Sequence, residues 1–166
     1  KALKGTFLIA EDNHLKVIAQ AEKSESVTVT PASVLLEEFD HIAQSVVFYV
    51  IRTRKQIVLD DASQDGLFAY NRYIKEIKPK SILCLPIISH DKLHGILYLE
   101  NADLPGAFPQ KLVEHLNLLI SQVSISIENA LLQQSIARMT EALEISKHKL
   151  EKRIQLLEQE LHEKRL

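Results

Sequence analysis

The sequence predicts an α+β protein in which helices pack on an antiparallel sheet. Apolar, β-favouring segments come in pairs around short turns, as in GTFLIAEDNHLKVIAQAEK near the start and SILCLPIISHDKLHGILYLEN in the middle. From about Pro109 to the end the chain contains no further Gly or Pro, which predicts one long helix. The order of these segments predicts a sheet with the long helix at its C-terminal end.

The first half of the chain contains a hairpin, a short extended piece and a helix. The hairpin turns at the Asp12-Asn13 pair, since these residues favour tight turns. Residues 27–30 form the extended piece, and Pro31 is expected to end it. Asp40 is then the expected N-cap of a helix over HIAQSVVFYVIRT.

The second half begins with a short strand, QIVLDD, and a long connection, ASQDGLFAYNRYIKEIKPK. Long connections without a sustained period often carry function. Two strands, SILCLPIIS and KLHGILYLEN, follow around a turn between Ser89 and Lys92. Because both are nearly apolar throughout, both of their faces are expected to be covered, as in the centre of a sheet.

Composition limits the functional classes. The chain has 166 residues, of which 46% are hydrophobic, so it can fill a core. Its 20 basic and 22 acidic residues give a net charge of -2, which offers no overall attraction for nucleic acid or an anionic membrane. One cysteine cannot form an internal disulfide, which fits a reducing compartment and predicts a cytoplasmic protein. No apolar run is long enough to span a bilayer.

Four segments carry the most specific pattern in the chain: VIRTRKQIVLDDA, PKSILCLPI, GILYLEN and QVSISIENALL. Together they resemble the GAF domains, and in particular those that precede histidine kinase modules in bacterial multidomain sensors. They occur in that family's order and near its spacing.

The resemblance implies an antiparallel sheet of order 2-1-5-4-3, with the terminal helices on one face and a pocket on the other. It covers about residues 5–135, which predicts a GAF domain at residues 1–135, and the remaining residues 136–166 are predicted to form a C-terminal signalling helix. It implies a non-catalytic regulatory module that binds an unidentified small molecule and signals to an output domain, such as a histidine kinase. The alternative is a structural module that dimerises without a ligand, and no cofactor is identified.

The best ligand candidate in the sequence is the aromatic-rich segment LFAYNRYI. Arg72 could meet an anion, while aromatic rings with polar tips could meet the rest of a ligand. The predicted pocket residues are Phe68, Tyr70, Arg72, Tyr73 and Cys84. The neighbours of Cys84 are apolar, so a buried, inert sulfur is the alternative to a reactive sensor thiol.

Other polar residues suggest chemistry but have simpler explanations. His90 and His94 are four apart, but they flank a hairpin turn, so we expect exposed turn histidines and no metal site. Asp60, Asp61 and Asp65 could act as paired carboxylates, yet no nucleophile or phosphate-binding loop accompanies them. We therefore expect acidic residues at a strand end and turn, and no catalytic site.

The C-terminal segment has two coiled-coil seams in different registers, since apolar residues alternate spacings of four and three. Leu132, Ile136, Met139 and Leu143 form the first seam, and Leu150, Ile154, Leu157 and Leu161 form the second. Ser146 and Lys147 occupy the positions between the two seams, where the register shifts like a four-residue stutter.

In the second register, a parallel homodimer would pair Arg153 with Glu158 and Glu160 with Arg165 across the interface. Such exposed pairs favour an orientation and contribute little to affinity. A solvated helix packed on its own domain and an antiparallel pair are the alternatives. His148 lacks the residues that usually follow a phosphoacceptor histidine, and no nucleotide-binding segment is present, so the chain is not itself a kinase.

Overall fold

A computed structural model describes residues 3–11, 14–23, 27–64 and 66–163. In this part of the chain, six strands form one antiparallel sheet and three α-helices accompany it. The strands are β1 (Leu3–Glu11), β2 (His14–Lys23), β3 (Val27–Leu35), β4 (Ile57–Leu59), β5 (Ser81–Ser89) and β6 (Lys92–Asn101). The helices are α1 (Gln44–Thr53), α2 (Arg72–Ile77) and α3 (Gln110–Glu163), and a short 3-10 helix lies at Leu36–Glu38.

The strand order is β3-β2-β1-β6-β5-β4, so β1 and β6 lie at the centre. Without β3, this is the expected order 2-1-5-4-3, and the α+β GAF-like fold is confirmed. Both predicted hairpins are present, with β1 paired to β2 and β5 paired to β6. The expected turn pair Asp12-Asn13 lies outside the described residues. At the second turn, His90 and Asp91 have φ of 47° and 59°, as a two-residue hairpin turn requires.

The strand β3 corrects the expectation that Pro31 ends a short extended piece. The strand continues through Pro31, whose Cα lies opposite that of Ala19. The register shifts between Val17 and Ala19, next to this pair. Because β3 is the edge strand and its register is irregular here, a residue without a backbone N–H is tolerated.

The main hydrophobic core lies between the sheet and α1. Val46, Val47 and Val50 of α1 are fully buried in the same cluster as Ile82 and Cys84 of β5. Their spacing of three and four residues places the valines on one helical face. These β-branched valines therefore form the buried side of the helix.

The predicted start of α1 at Asp40 is wrong. The helix begins at Gln44, with Ala43 at the N-cap and no side chain capping it. Residues before it are held in a loop, because the Gln44 side-chain amide donates to the carbonyl oxygens of Leu36 (2.8 Å) and Phe39 (3.2 Å). Ile42, which the predicted helix included, is instead buried in this loop.

The long connection contains a helix that its weak periodicity did not predict. The helix α2 begins after Asn71, whose side chain accepts a hydrogen bond from the Ile74 backbone N–H. It ends at Lys78, which has a left-handed conformation with φ of 54°. With only six residues, α2 is too short for hydrophobic periodicity to reveal it.

The other face of the central hairpin is covered as well, as expected. Leu83 and Leu85 are fully buried although they point away from the main core. The first turns of α3 present a buried face at Val113, Ile120 and Ser124, with i, i+7, i+11 spacing. On the same face of α3, the Asn117 amide donates to the Gln56 side-chain oxygen at 2.9 Å, beside β4.

The chain divides into two compact units, Lys1–Ile125 and Ser126–Leu166. The first unit contains the sheet, α1, α2 and the first part of α3. The second unit consists of the remaining part of α3, whose described side chains are almost all exposed.

Candidate ligand site

A cleft of about 390 Å³ lies between the loop before α1 and the helix α2. Arg72 and Tyr73 line it from α2, and Asp40, His41 and Gln44 line it from the loop and the start of α1. The cleft therefore combines charged, amide and aromatic groups, as expected of a small polar ligand site. Arg72 is strongly exposed and its Nε donates to Glu76 at 2.8 Å, so an anionic ligand would have to compete with this carboxylate.

A largely buried polar network lies behind the cleft, and its member Tyr73 lines the cleft. The Tyr73 hydroxyl donates to Glu100 Oε1 at 2.7 Å, and the Tyr98 hydroxyl donates to Glu100 Oε2 at 2.9 Å. Lys4 Nζ lies 3.6 Å from Glu100 Oε1 and donates to the Tyr73 hydroxyl oxygen at 3.1 Å. The Lys4 ammonium also donates to the His41 carbonyl oxygen.

This network connects distant parts of the chain. Lys4 and Glu100 are directly opposed on the central strands β1 and β6. Tyr98 accepts a hydrogen bond from the Ala43 backbone N–H at 3.3 Å, which fixes the start of α1. A buried carboxylate is costly unless it is paired and hydrogen-bonded, and Glu100 has a cation and two hydroxyl donors. The network therefore holds β1, β6, α1 and α2 together around the cleft.

The tyrosines of the network stay protonated over the ordinary pH range. Burial, with the neighbouring Glu100 carboxylate, raises the pKa of Tyr73 well above its usual value. Burial raises the pKa of Tyr98 in the same way, and the Glu100 charge adds to the effect. Both hydroxyls therefore act as hydrogen-bond donors to Glu100 and not as bases.

The structure does not bring the five predicted pocket residues together in one cavity. Arg72 and Tyr73 share the cleft, whereas Phe68 lines a separate cavity of about 400 Å³ with Tyr49. Phe68 is nearly buried and contacts the Tyr49 ring edge-on, with centroids 5.6 Å apart. Tyr70 is 81% exposed, with Lys75 Nζ 5.1 Å from its ring centre.

Cys84 is fully buried in the main core and lines none of the three described cavities. Burial raises the pKa of its thiol well above the ordinary value. A protonated, inaccessible sulfur is a poor nucleophile.

The other polar candidates lie apart from the cleft. Asp61 accepts hydrogen bonds from the backbone N–H and the hydroxyl of Ser63, and these hold its pKa below the usual value. Asp65 lies outside the described residues. His90 is exposed as expected, but His94 is buried at 7% exposure, so the prediction of two exposed turn histidines is wrong for His94. Among the described residues, no group of three His, Cys, Asp or Glu side chains is placed to bind a metal.

Sequence reasoning missed Lys4, Tyr98 and Glu100. One signal was present, because Glu100 follows the apolar run Ile96–Leu99 in a strand predicted to be central, where an ionised side chain needs a partner. Lys4 and Tyr73 are 69 residues apart, so no local pattern links them.

In the second unit, the side chains of both predicted seams are exposed wherever they are described. The exposed fractions are 61% for Ile136, 69% for Leu143, 62% for Leu150 and 44% for Leu157. Arg165 and the side chain of Leu161 lie outside the described part of the chain. Lys147 and His148 approach Glu151 at 3.8 Å and 4.0 Å on the helix surface. The second unit by itself therefore leaves a row of apolar side chains in water.

The chain belongs to the GAF domain family, which matches residues 5–127. A segment of 108 residues is 39% identical to "Hybrid signal transduction histidine kinase G" from Dictyostelium discoideum. The match covers 65% of this chain but only 3% of that relative's length. The chain is thus related to the GAF domains of histidine kinases and spans a small part of the kinase it matches.

Solved GAF domains share the fold at lower identity. One is the GAF domain of a two-component sensor histidine kinase from Bacillus halodurans, with a TM-score of 0.52 and 23% identity, covering 78% of this chain and 83% of that one. Another is the GAF domain of an Acinetobacter phosphoenolpyruvate-protein phosphotransferase, with a TM-score of 0.54 and 24% identity, covering 76% and 72%.

Across the described ranges, none of the helices combines the length and apolar composition that a membrane crossing requires.

Proposed function

We propose that this GAF domain is a non-catalytic regulatory module of a cytoplasmic signal-transduction protein of bacterial type. It would sense a small molecule and pass its state through α3 to a histidine kinase or similar output domain. The observation that carries the proposal is the GAF fold joined directly to a 54-residue helix with exposed coiled-coil seams. The relationship to a hybrid histidine kinase supports the kind of output.

The same proposal includes a parallel homodimer formed through α3. The exposed apolar row of the second unit would be covered by the same row of another chain. In the first seam, Asn129 occupies an a position seven residues before Ile136, and it is exposed. A single asparagine at an a position favours parallel two-stranded coiled coils, because two such side chains can hydrogen-bond across the interface. The opposite charges of Arg153 and Glu158 favour the same orientation.

Signal transmission would use the shift of register between Leu143 and Leu150. Ser146 and Lys147 weaken the seam there, and α3 is helical through both residues. If two packing registers have similar free energies, a ligand that binds one of them only modestly more tightly can shift the equilibrium between them.

Ligand binding is proposed for the cleft at Arg72 and Tyr73. Its wall is connected through Glu100 and Tyr98 to α1 and the central strands, so an occupant could affect the sheet on which α3 begins. Phe68 lies in a separate cavity and would support the connection that leads to α2, while Tyr70 is exposed and lines neither cavity.

A structural module without a ligand is the second candidate function, and a specific observation favours it. The hydroxyl of Tyr73, which lines the cleft, already donates to Glu100, and Lys4 lies 3.6 Å from the same carboxylate, so the network has its partners without a ligand. A panel of nucleotides and metabolites that produced no thermal shift, with a crystal structure showing the cleft filled by protein, would establish this alternative over sensing.

The transmission proposal is tested by shifting the helical phase in the full-length protein. Deleting residues 144–147 changes the register between the two seams, whereas deleting a complete heptad in the same region preserves it. We expect the four-residue deletion to alter output or its response to signal, and the heptad deletion to retain both. Unchanged output and unchanged response in the four-residue deletion would refute the proposal.

A further inference from the structure

The largest described cavity, about 760 Å³, shares no residue with the cleft at Arg72. It lies beside the C-terminal half of α1, where Phe48, Ile51 and Arg54 line it. The ends of both hairpins line it as well, through His14 and the turn residues His90 and Asp91. Its size is within the range of about 300–1,000 Å³ that small-molecule sites occupy.

The floor of this cavity is apolar and reaches the main core. Leu36 is 1% exposed, Leu15 is 7% exposed and Leu93 is 9% exposed, yet all three line the cavity. Phe48 lies beside them with 45% of its surface exposed, although α1 buries its other apolar face in the core. An occupant with an apolar body would remove this aromatic ring from water.

The rim carries charges of both signs. Arg54 and Lys92 are cationic, while Glu37 and Asp91 are anionic, and all four are exposed. Within the described part of the chain, none of these four side chains forms an ion pair or a hydrogen bond. The cavity therefore presents unpaired positive and negative groups above one apolar floor.

The backbone holds three rim residues in a conformation that side chains disfavour. Arg54, His90 and Asp91 have φ of 59°, 47° and 59°. A two-residue turn of this type prefers Asn-Gly, so His90-Asp91 retains two larger side chains at a local cost. Because Arg54 lies at a helix end and His90 and Asp91 lie in a short turn, the backbone positions of these three residues at the rim are well defined.

We propose that this cavity binds a zwitterionic small molecule with an apolar body, such as a short apolar peptide. The ammonium group would lie near Glu37 or Asp91, the carboxylate near Arg54 or Lys92, and the apolar body on Phe48 and the leucine floor. This proposal rests on the proposed sensor function. It names a class of ligand for that function and a binding site separate from the cleft at Arg72.

The test is isothermal titration calorimetry on this chain with leucyl-phenylalanine. Two capped versions of the same dipeptide serve as matched probes: N-acetylation removes the cation, and C-terminal amidation removes the anion. We expect the free dipeptide to bind and each capped form to bind at least about tenfold more weakly. Equal binding of all three, or no binding by the free dipeptide, would overturn the proposal.

Variants locate the site. Phe48→Ala, Lys92→Gln and Asp91→Asn are each expected to weaken binding of the free dipeptide by at least about tenfold. Leu104→Ala and Lys111→Gln remove an exposed apolar residue and an exposed cation that do not line the cavity, and they should leave binding unchanged. Circular dichroism confirms that each variant is folded. If the controls weaken binding as much as the rim variants do, the site is elsewhere.

This outcome is separable from the proposed transmission through α3. If the dipeptide binds but the four-residue deletion leaves output unchanged, the ligand site is supported and transmission through α3 is rejected. If the deletion alters output but the dipeptide does not bind, transmission is supported and the ligand site is rejected.

Discussion

Tyr98 is the residue on which the buried network depends most. It is fully buried, donates to Glu100 and accepts from the Ala43 backbone, so it joins a central strand to the start of α1. This backbone contact gives the Ala43 N–H a partner at the start of α1, where no side chain caps the helix.

Tyr98→Phe should reduce the free energy of unfolding by about 1–3 kcal/mol, because it leaves buried polar groups with fewer partners. Tyr70→Phe removes the same hydroxyl from an 81% exposed side chain and should change stability by less than about 0.5 kcal/mol. Urea denaturation measures both. Equal stability of the two variants would mean that the network contributes nothing beyond packing.

Cys84 should be unreactive in the native state, since burial both shields the thiol and raises its pKa. A thiol reagent such as Ellman's reagent should modify it only in denaturant. Fast modification of the folded protein would instead support a sensor thiol.

The raised pKa of Cys84 also predicts a pH dependence of stability. The unfolded thiol ionises near about pH 8.5, whereas the folded thiol stays protonated. The unfolded state then binds fewer protons, so stability should fall as pH rises above about 8.5, by up to about 1.4 kcal/mol per pH unit. In Cys84→Ala, the fall between about pH 8.5 and 10 should become much smaller, and the part that remains comes from Tyr73 and Tyr98, whose pKa values are also raised by burial. An identical slope in both proteins would assign it to other groups.

At the scale of elements, the central strands approach each other more closely than side chains normally allow. A Cβ on Gly95 in β6 would lie 2.3 Å from the Leu8 carbonyl oxygen of β1. Glycine is therefore required here by the neighbouring backbone, and this is a structural reason for its place in the segment GILYLEN.

Gly95→Ala should destabilise the domain by about 1–3 kcal/mol, since the central strands must shift to admit a methyl group. Gly66→Ala is the matched control, because a Cβ there meets nothing within 4 Å. Thermal unfolding of the two variants compares them under the same conditions. If Gly66→Ala lowered the melting temperature as much as Gly95→Ala, strand spacing would not be the cause.

Sequence reasoning succeeded where contacts are local. The hairpins β1–β2 and β5–β6 were predictable because apolar strands flank short turns. The path of β3 through Pro31 was not, because it depends on β3 being an edge strand beside an irregular part of β2. The start of α1 and the partners of Glu100 were also not predictable, since both depend on contacts between residues far apart in sequence.

At the scale of the whole molecule, the central claim is that two chains associate in parallel through α3. The exposed apolar rows of the second unit, Asn129 at an a position and the charges at Arg153 and Glu158 support it. The g–e pairs are worth about 0.2–1 kcal/mol each, so association must come from the apolar seams.

Disulfide cross-linking between two copies of Ile136→Cys tests this claim most directly. In a parallel dimer, a positions face the same residue of the partner chain, whereas the f position at Gln134 faces away. Cys84 is buried and serves as an inert background. We predict rapid cross-linking of Ile136→Cys and little of Gln134→Cys. Equal cross-linking at both positions, or none at Ile136→Cys, would contradict a parallel dimer.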